Sequence, residues 1–249
     1  MRLFVAPGAL AGLAGLAGPA ELRVTGDEHH YLARVRRARI GDPVELVDGA
    51  GTRAAAVVTA ISEDAAVLRV GAPERIAPRP PLVRALVPPI KGDRMDVCLE
   101  KLVEVGVDEI VIWPAARAVV RWDGARDDAR REARRAKLTA ALQAAARQSG
   151  RAQVPALAFA DDLSAAIARG AAGLRVVLDP AADGELARLP LGEAAEVTVA
   201  SGPEGGLAPS ELDLLARAGF SAVGLGPRVL RAETAPVVAV ALIRAATRS

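Results

Sequence analysis

Apolar and polar residues alternate in short runs along the first 75 or so positions. The runs are Arg2–Val5, Glu21–Val24, Val44–Val47, Ala54–Thr59 and Ala66–Val70. Turn-forming stretches separate them: Gly41-Asp42, Asp48-Gly49-Ala50-Gly51 and Ser62-Glu63-Asp64. Period-two runs bounded by such residues predict strands, and several at this spacing predict a small β-barrel. One helix is expected there, Asp27–Arg39, with Asp27 or Thr25 as its N-cap. Pro73, Pro78, Pro80 and Pro81 then fall within nine residues and read as a semi-rigid linker, because proline continues neither helix nor central strand.

From Leu82 the pattern alternates between apolar runs and helical periodicity. Strands are expected at Val83–Val87, Glu109–Trp113, Ala156–Ala160, Arg175–Leu178, Glu196–Ala200 and Ala222–Leu225. Helices are expected at Asp93–Val105, Arg126–Gln148, Leu163–Arg169, Pro209–Ala218 and Thr234–Thr247. Strands rich in Val, Ile and Leu, interleaved with helices, predict an α/β domain with a mostly parallel sheet covered on both faces. The expected division is residues 1–74 as the barrel, 75–81 as the linker and 82–249 as the α/β domain.

Composition narrows the chemistry. Of 249 residues, 32 are Lys or Arg and 30 Asp or Glu, a formal net charge of +2 that excludes a uniformly basic nucleic-acid binder. A polyanion site must be local. Residues 117–151 hold ten basic and four acidic side chains, while 155–249 hold eight basic and eleven acidic. Arg34, Arg36, Arg37 and Arg39 crowd six positions without an acidic neighbour among them. Basic surfaces on both domains suit a phosphate backbone gripped from two sides, and the 2% aromatic content favours structured RNA over stacked single strands.

The single cysteine, Cys98, lies on an apolar face with Met95, Leu99, Leu102 and Val103 and is expected to be a buried structural thiol. Adjacent His29 and His30 diverge, so no metal site is expected. Met1–Gly18 lacks the basic start of a secretory signal, and no apolar run approaches the roughly 18 residues of a membrane span, so the expected location is the cytoplasm.

The loop after Val83–Val87 carries neither a GxGxxG nor a Walker A pattern. Glycine-rich loops come late: Ser201-Gly202-Pro203-Glu204-Gly205-Gly206, and Gly224-Leu225-Gly226-Pro227-Arg228-Val229-Leu230-Arg231-Ala232-Glu233-Thr234. Both follow expected strands, at the carboxyl edge where open α/β sheets bind ligands. Thr234 is expected to cap the last helix, with Arg231 and Glu233 at its positive end, and Glu204 needs a partner if it is desolvated.

At these loops the chain resembles the RsmE family of the SPOUT superfamily, the bacterial 16S ribosomal RNA uridine-N3 methyltransferases. Gly202–Gly206 is similar to the family's GPEGG, and Leu225–Ala235 to its LGPRILRTETA. His29-His30-Tyr-Leu-Ala-Arg34-Val-Arg36-Arg37, Lys91…Glu100-Lys101…Glu104-Val-Gly106-Val and Gln148-Ser149-Gly150-Arg151…Val154-Pro155 resemble further family blocks, so the resemblance spans essentially the whole chain. Ala116 and Arg121 replace the Glu and Lys of the family's SERSVVKW block, and Arg147 replaces the Glu of its EQS block. The changes are expected to make the RNA face more positive.

The resemblance implies a PUA-like RNA-binding β-barrel followed by a SPOUT domain whose C-terminal chain is tied in a trefoil knot, and a homodimer. It implies S-adenosyl-L-methionine as cofactor, contacted by Leu178, Gly202, Glu204, Gly205, Leu225, Leu230 and Thr234. Arg231 is expected to offset charge on the uracil carbonyls while Glu233, or a water, takes the N3 proton. Arg34, Arg36, Arg37, Arg117, Arg121 and Arg151 are expected to contact phosphates of 16S ribosomal RNA in the small subunit. The rival readings are a SPOUT enzyme for another RNA position, a non-catalytic ribosome-assembly factor and a pyrimidine isomerase. Intact glycine loops disfavour the second, and no catalytic Asp motif is found for the third.

Overall fold

A computed structural model of the chain describes residues 1–13, 20–120, 122, 128–170 and 172–247, with the side chains of 128–131 left out. The chain divides into two units, 1–78 with 146–154, and 79–145 with 155–249.

In the first unit, β1 (Arg2–Phe4), β2 (Ala20–Thr25), β3 (Pro43–Val47), β4 (Thr52–Ile61), β5 (Ala65–Val70) and β6 (Glu74–Arg75) form one sheet. Its order is β1-β3-β4-β5-β2, with β6 on β4, and every pairing is antiparallel except β1 with β3. No ladder among the described residues joins β1 to β2. Alternate residues of these strands, including Leu3, Val44, Leu46, Val58 and Leu68, bury one face around Leu32.

Two expectations change here. The helix expected over Asp27–Arg39 is shorter: α1 (Gly26–His30) passes into a π-turn, Tyr31–Val35, and stops. Arg36 N–H reaches back to the carbonyl of Tyr31 at 2.8 Å, and Arg37 takes a left-handed φ of 51°, which a helix cannot continue. Arg34 therefore sits in the last turn of the helical segment, and Arg36, Arg37 and Arg39 lie beyond it. The proline-rich stretch is also partly ordered as sheet, since Glu74 and Arg75 pair with Arg53 and Thr52.

The second unit contains β7 (Leu82–Val87), α2 (Arg94–Val105), β8 (Glu109–Ile112), α3 (Asp128–Gln148), β9 (Ala156–Phe159) and α4 (Leu163–Ala168). These are followed by β10 (Leu174–Leu178), β11 (Glu196–Ala200), α5 (Pro209–Arg217), β12 (Ser221–Val223) and α6 (Ala235–Ala246). The end of α3, from Ala146, belongs to the first unit. All six strands run parallel in the order β12-β10-β11-β7-β8-β9.

On one sheet face Leu86, Val111, Val177 and Ala200 pack with Leu163, Ala166, Leu215 and Phe220 of the α4–α5 side. Their buried chain neighbours Ala85, Ile110, Val176 and Val199 point to the opposite face. The helix α6 packs against β7, β11 and α2. Arg244 anchors it by donating to the carbonyls of Gly106 (2.7 Å) and Pro81 (2.7 Å) and pairing with Asp108. Adjacency of β12, β10 and β11 brings the loops after three strands to one edge of the sheet.

Candidate functional site

Those three loops enclose a cleft of about 450 Å³. Leu178 and Asp179 enter it from the end of β10, Gly202 and Glu204 from the loop after β11, and Leu225, Leu230, Arg231 and Glu233 from the long loop before α6. Seven of the nine residues expected at a catalytic or cofactor site thus meet here from three chain segments. Gly205 and Thr234 are not part of the lining.

The loop after β11 is set by close packing. Ser201 N–H donates to Leu86 carbonyl at 3.0 Å, continuing the sheet one residue, and Gly206 N–H closes a turn on Pro203 carbonyl at 2.9 Å. A Cβ on Gly202 would come within 3.2 Å of both the backbone N and Cγ of Leu207, so Leu207 would have to yield by a few tenths of an ångström to admit a side chain there. Glu204 has the partner its position requires. Its Oε1 accepts the Lys91 N–H at 3.4 Å and lies 4.0 Å from Arg94 Nη2.

The segment before α6 differs from expectation. Thr234 makes no side-chain capping bond and already has helical φ and ψ, −90° and −41°. The turn is made by backbone instead: N–H groups of Thr234 and Ala235 both donate to Arg231 carbonyl, at 2.9 and 3.0 Å. This turn presents Arg231 outward, 78% exposed, while the Glu233 side chain is only 12% exposed. The two ionic groups are 3.8 Å apart, and among the described residues Glu233 Oε2 is buried without a hydrogen-bond partner. Beneath them Cys98 is fully buried; burial, with the Glu233 charge second, pushes its thiol up to about 12. It is a neutral packing group, as expected from its helical face.

Arg117 is turned toward the glycine loop. Its Nη1 donates to the carbonyls of Leu207 at 3.2 Å and Gly205 at 3.4 Å. Sequence reasoning missed Arg94, Asp179 and Glu211. For Glu211 a signal existed in Pro209-Ser-Glu, a proline at the first helical position with an acid two residues on. Its Oε2 accepts the Ala208 N–H at 2.7 Å.

In the first unit Arg34, Arg36 and Arg37 are exposed, and Arg151 is half-buried. Arg121 lies outside the described residues. Arg147 does not add to an outward positive face. It pairs with Glu28 and stacks on Tyr31 and Phe4. Among the described residues no three His, Cys, Asp or Glu side chains cluster as metal ligands, and no helix is long and apolar enough to cross a membrane.

A family profile described as an RNA methyltransferase domain matches residues 78–244, and one described as an RNA methyltransferase PUA domain matches residues 24–71. The chain is 37% identical over 228 residues to the ribosomal RNA small subunit methyltransferase E of Mycobacterium bovis, an alignment covering 88% of this chain and 84% of that one. The protein of the same name from Bacillus subtilis is 28% identical, with 88% of each chain covered. A methyltransferase of Legionella pneumophila in complex with SAM superposes with a TM-score of 0.82 at 25% identity, covering 98% of this chain and 97% of that one. The ribosomal RNA small subunit methyltransferase E of Neisseria gonorrhoeae, bound to S-adenosyl methionine, gives 0.80 at 25% identity over 96% and 94% of the two chains.

Proposed function

This chain belongs to the ribosomal RNA small subunit methyltransferase E family, and from that membership we propose that it methylates N3 of a specific uridine in 16S ribosomal RNA, with S-adenosyl-L-methionine as methyl donor. The observation that carries the reading is the cleft at the β10–β12 edge, and within it the buried Oε2 of Glu233, which has no hydrogen-bond partner among the described residues.

The residues present suit this cofactor. A cleft of about 450 Å³ matches the size of small-molecule sites. Leu178, Leu225 and Leu230 offer an apolar surface for a purine, and backbone exposed at Gly202 offers donors and acceptors to its edge. Carboxylates of Asp179, Glu204 and Glu233 also line the cleft, and a cationic group or a hydroxyl there satisfies an otherwise orphaned oxygen. When bound, the cofactor supplies an electrophilic methyl group on a sulfonium.

The chain's own task is to make uracil N3 electron-rich. Arg231, exposed at the rim, stabilises negative charge spreading onto the uracil carbonyls. Glu233, held within 3.8 Å of Arg231, accepts the N3 proton directly or through a water. Arg34, Arg36, Arg37 and Arg151 hold phosphates of the RNA, as does Arg121.

The finer architecture follows the family. The C-terminal chain is tied in the SPOUT trefoil knot, a reading supported by the bonds that press residues 179–186 against the end of β12. Asp179 N–H donates to Val223 carbonyl at 3.0 Å, Gly224 N–H to Gly184 at 2.7 Å and Leu186 N–H to Gly224 at 3.1 Å. The enzyme works as a homodimer in the cytoplasm, on RNA of the small ribosomal subunit. Mapping methylated uridines in small-subunit RNA from a strain lacking the protein tests the reading: one N3-methyluridine must disappear and return with the restored gene. An unchanged methylation pattern rejects it.

A further inference from the structure

We propose that Arg117 and Glu211 are positioning residues: they clamp the Gly202–Leu207 loop in the form that receives the cofactor, and Arg117 serves this loop rather than RNA phosphates. The inference rests on the reading of the cleft as the S-adenosyl-L-methionine site.

After β8 the chain leaves the sheet at buried Trp113 and runs through Pro114-Ala115-Ala116-Arg117 alongside the loop that follows β11. Glu211, in the first turn of α5 and only 9% exposed, divides its carboxylate between the two segments. Oε1 accepts the Ala116 N–H and Oε2 the Ala208 N–H, each at 2.7 Å. Burial makes these charge-assisted bonds strong and leaves Glu211 little freedom to exchange them for water.

Arg117 completes the clamp from the other side, with Nη1 shared between the carbonyls of Gly205 and Leu207. The two segments are in close contact where they cross. A Cβ on Gly205 would lie 3.1 Å from both Cβ and the carbonyl O of Arg117. Gly205 thus packs tightly against Arg117 and is not part of the cleft lining.

Gly202, Glu204 and Leu207 of the same loop do face the cleft. A glycine-rich loop left to itself loses conformational freedom when a ligand orders it, and that cost weakens binding. Fixing its carbonyls with Arg117 and its exit with Glu211 places the cost in folding instead. The arginine thus raises cofactor affinity without touching the cofactor.

Calorimetric titration with S-adenosyl-L-methionine, paired with the salt dependence of binding to small-subunit RNA, separates the two roles of Arg117. Arg117→Ala and Glu211→Gln are expected to weaken cofactor binding roughly tenfold, the effect of losing hydrogen bonds to a charged group. The RNA salt slope stays at its wild-type value. Arg117→Lys recovers part of the affinity, because an ammonium can donate to the same carbonyls. Wild-type cofactor affinity in Arg117→Ala overturns the proposal, as does a salt slope reduced by about one with cofactor affinity intact. Melting midpoints guard against simple unfolding: affinity that falls only as far as the folded fraction falls also overturns it. A wild-type chain that binds no cofactor overturns the underlying reading as well, whereas equal binding by wild type and Arg117→Ala overturns the clamp alone.

Discussion

Arg147 forms an ion pair with Glu28 inside the first unit, with both side chains mostly buried. Its guanidinium lies 5.1 Å from the ring of Tyr31 and 5.4 Å from that of Phe4, and Glu28 also accepts the Phe4 N–H at 3.1 Å. The arginine that replaces a family glutamate is thus neutralised and packed, and contributes cohesion instead of RNA affinity. Arg147→Ala should lower stability by about 1–3 kcal/mol in urea unfolding, from the lost charged hydrogen bond and cation–π contacts. Arg147→Glu should cost more, because it sets two carboxylates together, and adding Glu28→Arg should restore part of the loss. An unchanged midpoint in Arg147→Ala would contradict the packing role.

Gly173 and Gly219 share a φ of +81°, yet their surroundings differ. A Cβ on Gly173 would sit 2.2 Å from the carbonyl O of Glu196, whereas one on Gly219 would meet nothing within 4 Å among the described residues. Gly219→Ala is expected to cost about 1–2 kcal/mol, the left-handed backbone penalty alone. Gly173→Ala adds a backbone clash between the starts of β10 and β11 and should cost clearly more, about 3 kcal/mol or above. Thermal unfolding of the pair checks this; equal losses would show that the β10–β11 edge yields readily.

Cys98 links stability to alkaline pH. Its folded thiol is raised to about 12 from 9.0, chiefly by burial, so the folded state resists losing that proton while the unfolded chain does not. The contribution is complete below pH 9.0 and is lost as pH rises toward about 12, with a limiting slope of about 1.4 kcal/mol per pH unit. Cys98→Ala should flatten that part of the stability–pH curve. In the wild type, alkylation of Cys98 at neutral pH should proceed only as fast as the unit opens; rapid labelling of the folded protein would contradict its burial.

Arg231 and Glu233 divide the chemistry at the cleft. Arg231→Ala is expected to lower methyl transfer about 100-fold at saturating cofactor, the scale of removing one electrostatic stabiliser. Glu233→Gln should lower it by a similar factor, because the amide cannot accept the N3 proton. A single-turnover assay reads both. A wild-type rate in either variant would remove that residue from the mechanism.

The α/β alternation was legible because the strands β7 to β12 are short apolar runs and their helices carry clear periodicity. Much of the candidate cleft was legible because Gly202, Glu204, Leu225, Leu230, Arg231 and Glu233 sit in two compact loops. Long-range geometry was not. Glu211 and Arg117 act on groups about 90 residues away, and no local pattern records such pairs. Thr234 has the composition of a cap, but its own backbone is already helical and the turn before the helix closes through backbone bonds to Arg231. Arg147 reads as surface charge on a basic helix until Glu28 is brought against it. The helix expected to reach Arg39 ends at Val35 because the backbone turns left-handed at Arg37, an uncommon conformation for a non-glycine residue.

The most direct measurement is nucleoside mass spectrometry of small-subunit RNA, isolated from cells lacking the protein, after incubation with the purified chain and S-adenosyl-L-methionine carrying a labelled methyl group. One labelled N3-methyluridine per RNA is expected, forming about 100-fold more slowly when Glu233→Gln replaces the wild type. Label at another nucleoside position, or no label with folded protein and intact RNA, would contradict that expectation.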